Sequence, residues 1–145
     1  MIVKIKKIEE NAKIPKKANP TDAGFDLYAC HDDEIIIKPH QTVMIHTGLV
    51  MEIPEGYYGG IYARSGLASK KNLRPANCVG VVDAHYRGEV MIALHNDSDD
   101  VQTINGYERI AQMIIAPVPG IDIVEVSELS NTDRGTGGFG STGTN

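Results

Sequence analysis

The chain has 145 residues, a formal net charge of −5 and 41% hydrophobic residues, as expected of one soluble globular domain with room for a sizeable core. No apolar run approaches the roughly 20 residues that a membrane span requires, and the acidic balance argues against broad binding to nucleic acid. Cys30 and Cys78 show no motif spacing, and with no export signal at the start they are expected as reduced thiols in a cytoplasmic protein.

In chain order, short strand-like runs alternate with turn signals. Val3 to Lys6 alternates. Ala23 to Ala29 reads as a Gly-kinked strand carrying one acid, Asp26. Ile35 to Ile37 stops at Pro39, Thr42 to His46 stops before Gly48, and Val50 to Ile53 stops at Pro54. Tyr57 to Ala63 follows the Glu55-Gly56 turn, and only Leu67 to Lys71 looks helical, for one or two turns. Gly80 to Val90 reads as two strands meeting at a tight bend, with Asp83, His85, Tyr86 and Arg87 at or beside its tip. Val101 to Ile104, Arg109 to Ala116 and Ile121 to Val126 complete the set. Strands spaced this way define an all-β fold, two packed sheets of jelly-roll or Greek-key type.

Four stretches carry polar groups suited to chemistry. Arg64 and Ser65 stand where a strand gives way to the short helix, a place with free N–H groups and a partial positive charge for an anion. Asn77 precedes the bend and offers an amide that reads a base edge or closes a turn. Gln112 is the polar residue in an otherwise apolar run. From Ser130 onward the chain is almost free of apolar side chains, yet it holds Arg134 and Phe139 among five glycines. Such a segment is expected to be mobile when free. Its glycines let backbone amides close on phosphate oxygens, with a guanidinium fork and one ring beside them.

In order, Ala-Gly-Phe-Asp-Leu-Tyr-Ala from Ala23, Arg-Ser-Gly-Leu-Ala from Arg64, and Gly-Val-Val-Asp-Ala-His-Tyr-Arg-Gly from Gly80 run along the chain. Gly-Tyr-Glu-Arg-Ile-Ala-Gln from Gly106 and Arg-Gly-Thr-Gly-Gly-Phe-Gly-Ser-Thr-Gly from Arg134 follow. This series resembles the five ordered motifs of the trimeric deoxyuridine triphosphatases, from residue 23 to residue 143. The resemblance implies hydrolysis of dUTP to dUMP and pyrophosphate with Mg²⁺, by water attack on the α-phosphorus. It implies Asp83 as the general base and Tyr86 as the ring that packs under deoxyribose and excludes a 2′-OH. Asn77 and the backbone of Gly80, Val81, Val82 and Asp83 would read uracil, with Met91 lining the site. Arg64, Ser65, Gly66 and Gln112 would take the phosphates. Arg134, Ser141 and Thr142 would close over them while Phe139 stacks on the base. The metal is expected on the triphosphate oxygens, without a direct protein ligand, and with Asp26 reaching it through water.

The implied organisation is a jelly-roll domain over residues 1–129 and a glycine-rich closing arm over 130–145, with each site shared between subunits of a homotrimer. Neither nucleic acid nor a membrane is expected as a partner. Two positions depart from the family pattern: His85 stands where an acid is usual, and Ala63 where proline or glycine is usual. Deaminases of dCTP share the fold, but their serine-rich phosphate motif is missing and Glu89 sits past Tyr86 in the wrong context.

Overall fold

The computed structural model describes residues 1–138. Two four-stranded antiparallel sheets share one core, to which a two-stranded ribbon adds Ile37 and Ile104. The first sheet has the order β1-β4-β8-β6, built from Lys4–Lys7, Thr42–Glu52, Glu89–Asn96 and Leu73–Pro75. The second runs β2-β10-β5-β7, built from Phe25–Tyr28, Arg109–Pro117, Tyr57–Tyr62 and Gly80–Val82. The ribbon pairs β3, Ile35–Ile37, with β9, Gln102–Ile104. The single helix among the described residues, α1, is Ser65–Lys71. This is the all-β sandwich with one short helix that the strand spacing predicts.

Alternation of the β8 side chains places Val90, Ile92, Leu94 and Asn96 inward. They meet Leu27, Ile45, Leu49, Leu73 and Ile110 in one apolar core, each of these essentially without solvent contact. Buried Asn96 is made affordable by its partners: its amide donates to the carbonyls of Ile37, Lys38 and Asp100, and its oxygen accepts from Ser98 N–H. Asn72 ends the helix in the left-handed conformation, its N–H returning to the Leu67 carbonyl.

Three readings of the sequence are corrected here. Thr42 to His46 and Val50 to Ile53 are one strand, because Gly48 at φ 67° lies in a register shift within β4 and does not end it. Ile121 to Val126 forms no strand; its apolar side chains lie exposed beyond β10. Most consequentially, Gly80 to Val90 is no hairpin. Strand β7 pairs with β5 in the second sheet, and β8 pairs with β4 and β6 in the first. The bend at Asp83 therefore carries the chain from one sheet to the other. Strand β6, with proline at its end and only three residues, gave no periodic signal.

Candidate active site

The crossover between the sheets sets out the first group of polar residues. A turn closes from Tyr86 N–H to the Asp83 carbonyl at 3.1 Å. Arg87 braces it by donating to the carbonyls of Ala84, at 2.6 Å, and Tyr86, at 2.9 Å. The Tyr86 hydroxyl donates to the Glu89 carbonyl at 3.0 Å, and its ring occupies the space that a side chain at residue 88 would take, so glycine there lets the ring keep this position. Asp83 is exposed, and among the described residues its carboxylate has no hydrogen-bond or ion-pair partner. It can accept a proton without first giving up a contact. The Asn77 amide stands over Gly80, 3.2 Å from where a β-carbon would be. Asn77, Gly80, Val81, Val82, Asp83, Tyr86 and Met91 line one cleft of about 200 Å³, together with Met44, Ile61 and Val90. His85 points away toward Glu55, 3.6 Å distant, with both side chains exposed.

The second group gathers at the end of β5. Arg64, Ser65, Gly66 and Gln112 line a cleft of about 330 Å³ with Asp22, Gly24, Asp26 and Arg109. Arg64 stands at the entry to α1 and donates through Nε to Asp26 Oδ1 at 2.9 Å. Arg109 donates to the other oxygen, Oδ2, at 3.1 Å. One carboxylate, only 14% exposed, thus holds two guanidinium groups at a cleft wall. The Gln112 amide donates to the Ala63 carbonyl at 3.0 Å, and a β-carbon at Gly24 would lie 2.6 Å from the Gln112 Oε1. Glycine at 24 is what lets the amide occupy this position.

Arg109 and the clamping role of Asp26 escaped the sequence reading for a physical reason. In a regular strand, residues 109 and 112 face opposite ways. The register against β2 shifts between Arg109 and Ala111, so both reach the side of Asp26.

The two clefts share no lining residue. Arg134 stands apart from both in a turn of its own, donating through Nε to the Gly137 carbonyl at 2.8 Å. Phe139, Ser141 and Thr142 lie outside the described residues. For Mg²⁺, no three His, Cys, Asp or Glu side chains converge among the described residues, and both Asp26 oxygens already accept from arginine.

Fold and site together give the class: a β-sandwich with two clefts, one holding two guanidinium groups on a single carboxylate beside the entry to α1, the other an aspartate uncommitted among the described residues. Comparison with known proteins narrows the class. The dUTPase family profile matches residues 10–143. Deoxyuridine 5'-triphosphate nucleotidohydrolases of Hydrogenobaculum sp. and Nautilia profundicola are each 48% identical, over 96% and 99% of both chains respectively. The dUTPase of Staphylococcus bacteriophage 80alpha, solved with dUpNHpp, superposes with a TM-score of 0.87 at 29% identity over 99% of both chains. The protein described here belongs to the dUTPase family.

Proposed function

We propose that this protein hydrolyses dUTP to dUMP and pyrophosphate, the activity that its similarity to the curated nucleotidohydrolases supports. The observation that carries the mechanism is the uncommitted Asp83 carboxylate in the same cleft as Asn77, Gly80 and Tyr86. In this reading a water oxygen attacks the α-phosphorus, Asp83 takes its proton, and the bond to the β-phosphate oxygen breaks to release pyrophosphate. General-base help of this kind is worth about 10² to 10⁴ in rate; holding the phosphates in line supplies the rest.

Uracil sits against Asn77 and the backbone of Gly80 to Asp83, Tyr86 packs under the deoxyribose, and Met91 closes the side. Arg64, Ser65, Gly66 and Gln112 hold the phosphates; we add Arg109, which lines the same cleft. Mg²⁺, when bound, neutralises the phosphate chain. Relatives bear on it: the structure of a mutant dUTPase from phage phi11 of S. aureus, at 26% identity and a TM-score of 0.75, describes the coordination of a structural Mg(II) ion. To Asp26 we assign the holding of Arg64 and Arg109, and each of its oxygens keeps a second lone pair for a water toward the metal.

The active unit in this reading is a homotrimer with shared sites. Two features support it. One chain keeps the base-reading and phosphate-holding residues in separate clefts. Beyond β10, the side chains of Ile121, Ile123, Val124, Val126 and Leu129 are 56–93% exposed, and each forgoes about 1.5–3 kcal/mol unless something covers it. Residues 1–129 form the domain, and 130–145 form an arm that closes with Arg134, Ser141 and Thr142 over the phosphates and Phe139 on the base. No described helix is long and apolar enough to cross a membrane. Pyrophosphate release from dUTP, dTTP, dCTP and UTP tests the reading. Release from dUTP alone is expected; equal kcat/KM on UTP would refute the role given to Tyr86.

A further inference from the structure

The first 17 residues hold six lysines against two glutamates, in a chain whose net charge is −5. Three of these lysines, Lys7, Lys13 and Lys16, line one groove of about 410 Å³ beside Tyr28, with Glu10 the single carboxylate on its wall. Lys13 is held in place. Its Nζ stands 5.3 Å from the Tyr28 ring centroid and 5.0 Å from that of Tyr107, and donates to the Tyr107 carbonyl at 3.3 Å. Lys7 donates to the Glu10 carbonyl at 3.2 Å. The Lys16 carbonyl accepts from Asp26 N–H at 2.9 Å, which ties this residue to β2. Among the described residues, none of the three ammonium groups pairs with a carboxylate.

Like charges gathered in one groove repel, by about 1 kcal/mol for a pair 4 Å apart in water and more where solvent is displaced. A multiply charged anion turns that cost into attraction. We propose that this groove is a second anion site, distinct from the Arg64 cleft, that takes an oligophosphate such as inorganic pyrophosphate or tripolyphosphate. Compact ammonium groups suit phosphate oxygens as point charges. The groove has the volume of a small-ligand site. A nucleic-acid strand fits less well, because the lysines occupy one short segment of an acidic chain and the Tyr28 face that could stack a base already meets Lys13. The backbone hydrogen bond between Lys16 and Asp26 ties one wall of the groove to the residue whose carboxylate holds Arg64 and Arg109.

The test is calorimetric titration of the full chain with tripolyphosphate, without metal, and it needs no dUTP turnover. Two molecules per chain are expected for the wild type. Arg64→Ala should abolish one binding event, and the double variant Lys13→Ala, Lys16→Ala the other, with at least a tenfold loss of affinity there. That second event should weaken as ionic strength rises from about 0.01 to 0.15 M. Pyrophosphate should compete for it, whereas dUMP, with one phosphate, should not. Lys16→Gln, at an exposed residue with no side-chain partner, gives the same readout in a chain with no packing to lose. Titration unchanged by the lysine substitutions overturns the proposal; a single wild-type event that the lysine substitutions abolish upholds it and counts instead against the Arg64 cleft. So does an oligonucleotide that binds at these lysines where tripolyphosphate does not.

Discussion

Asp26 shows how much one buried-edge carboxylate can organise. Each oxygen accepts from an arginine, and the strand register that brings Gln112 opposite it completes the cleft wall. Charge-assisted hydrogen bonds are worth about 1.5–3 kcal/mol each. Asp26→Asn should therefore lower kcat/KM by about 10- to 100-fold, since the guanidinium groups keep their charge but lose their anchor. The same variant should retain its fold by circular dichroism; unchanged kcat/KM would show that the clamp is dispensable. Asp83 calls for the opposite signature. It has no partner to lose among the described residues, so Asp83→Asn should bind a non-hydrolysable dUTP analogue as the wild type does while kcat falls by about 10² to 10⁴. Weakened analogue binding with kcat retained would remove it from the role of base.

At the scale of the element, the strand β4 and the crossover explain what the sequence could and could not disclose. Short apolar runs between Gly and Pro revealed the sandwich, because alternation is a local property. Pairing is not local. Whether Gly80–Val82 joins the strand after it or β5 before it depends on packing, and the apolar approach to Asp83 reads alike in both cases. Gly48 misled for a related reason: its positive φ resembles a turn, but here it sits inside an 11-residue strand. A β-carbon there would lie 2.9 Å from the β-carbons of Ala12 and Glu9 and 3.0 Å from the Cys30 sulfur. Gly48→Ala should destabilise by more than the roughly 1–2 kcal/mol of a left-handed alanine. Gly56→Ala, at φ 78° with nothing within 4 Å, should show that conformational cost alone. Denaturant midpoints of the two variants separate the terms, and equal losses would deny any contact cost at Gly48. Strand β6 yields a pH prediction. Its Arg74 grips Asp97 at 2.6 and 2.8 Å, just past the end of β8, and this hydrogen bonding holds the carboxyl below its ordinary range. A depressed pKa contributes stability above the unfolded value near 3.9 and loses it as pH falls through the folded value. Melting temperatures taken between about pH 5 and pH 3 should therefore drop more steeply for the wild type than for Asp97→Asn, by a small margin because the pair is exposed. Parallel curves would mean that the pair contributes nothing.

The whole molecule is where the sequence was most informative about chemistry and least about assembly. Five motifs in order pointed to the family, yet no periodicity showed that one chain keeps the residues of those motifs in two clefts. Ile121 to Val126 has the alternation of a strand, and within one chain it finds no sheet to join. In the proposed trimer, assembly would supply what the single chain lacks, and this makes a sharp prediction. If each site draws the Asp83 cleft from one subunit and the closing arm from another, two differently broken chains can complement. Asp83→Asn chains carry a sound arm and no base; chains ending at residue 129 carry the base and no arm. Each should be inactive alone as a homotrimer, with folding and assembly intact, because every core residue among the described ones lies before residue 129. Unfolding and refolding the two together produces mixed trimers, in which some sites combine an intact Asp83 with an intact arm. Pyrophosphate release should then recover to a fraction set by the mixing ratio, greatest near equal amounts and absent when the separately folded trimers are merely combined. Mixed trimers verified by mass that show no recovery would mean that each chain closes its own site.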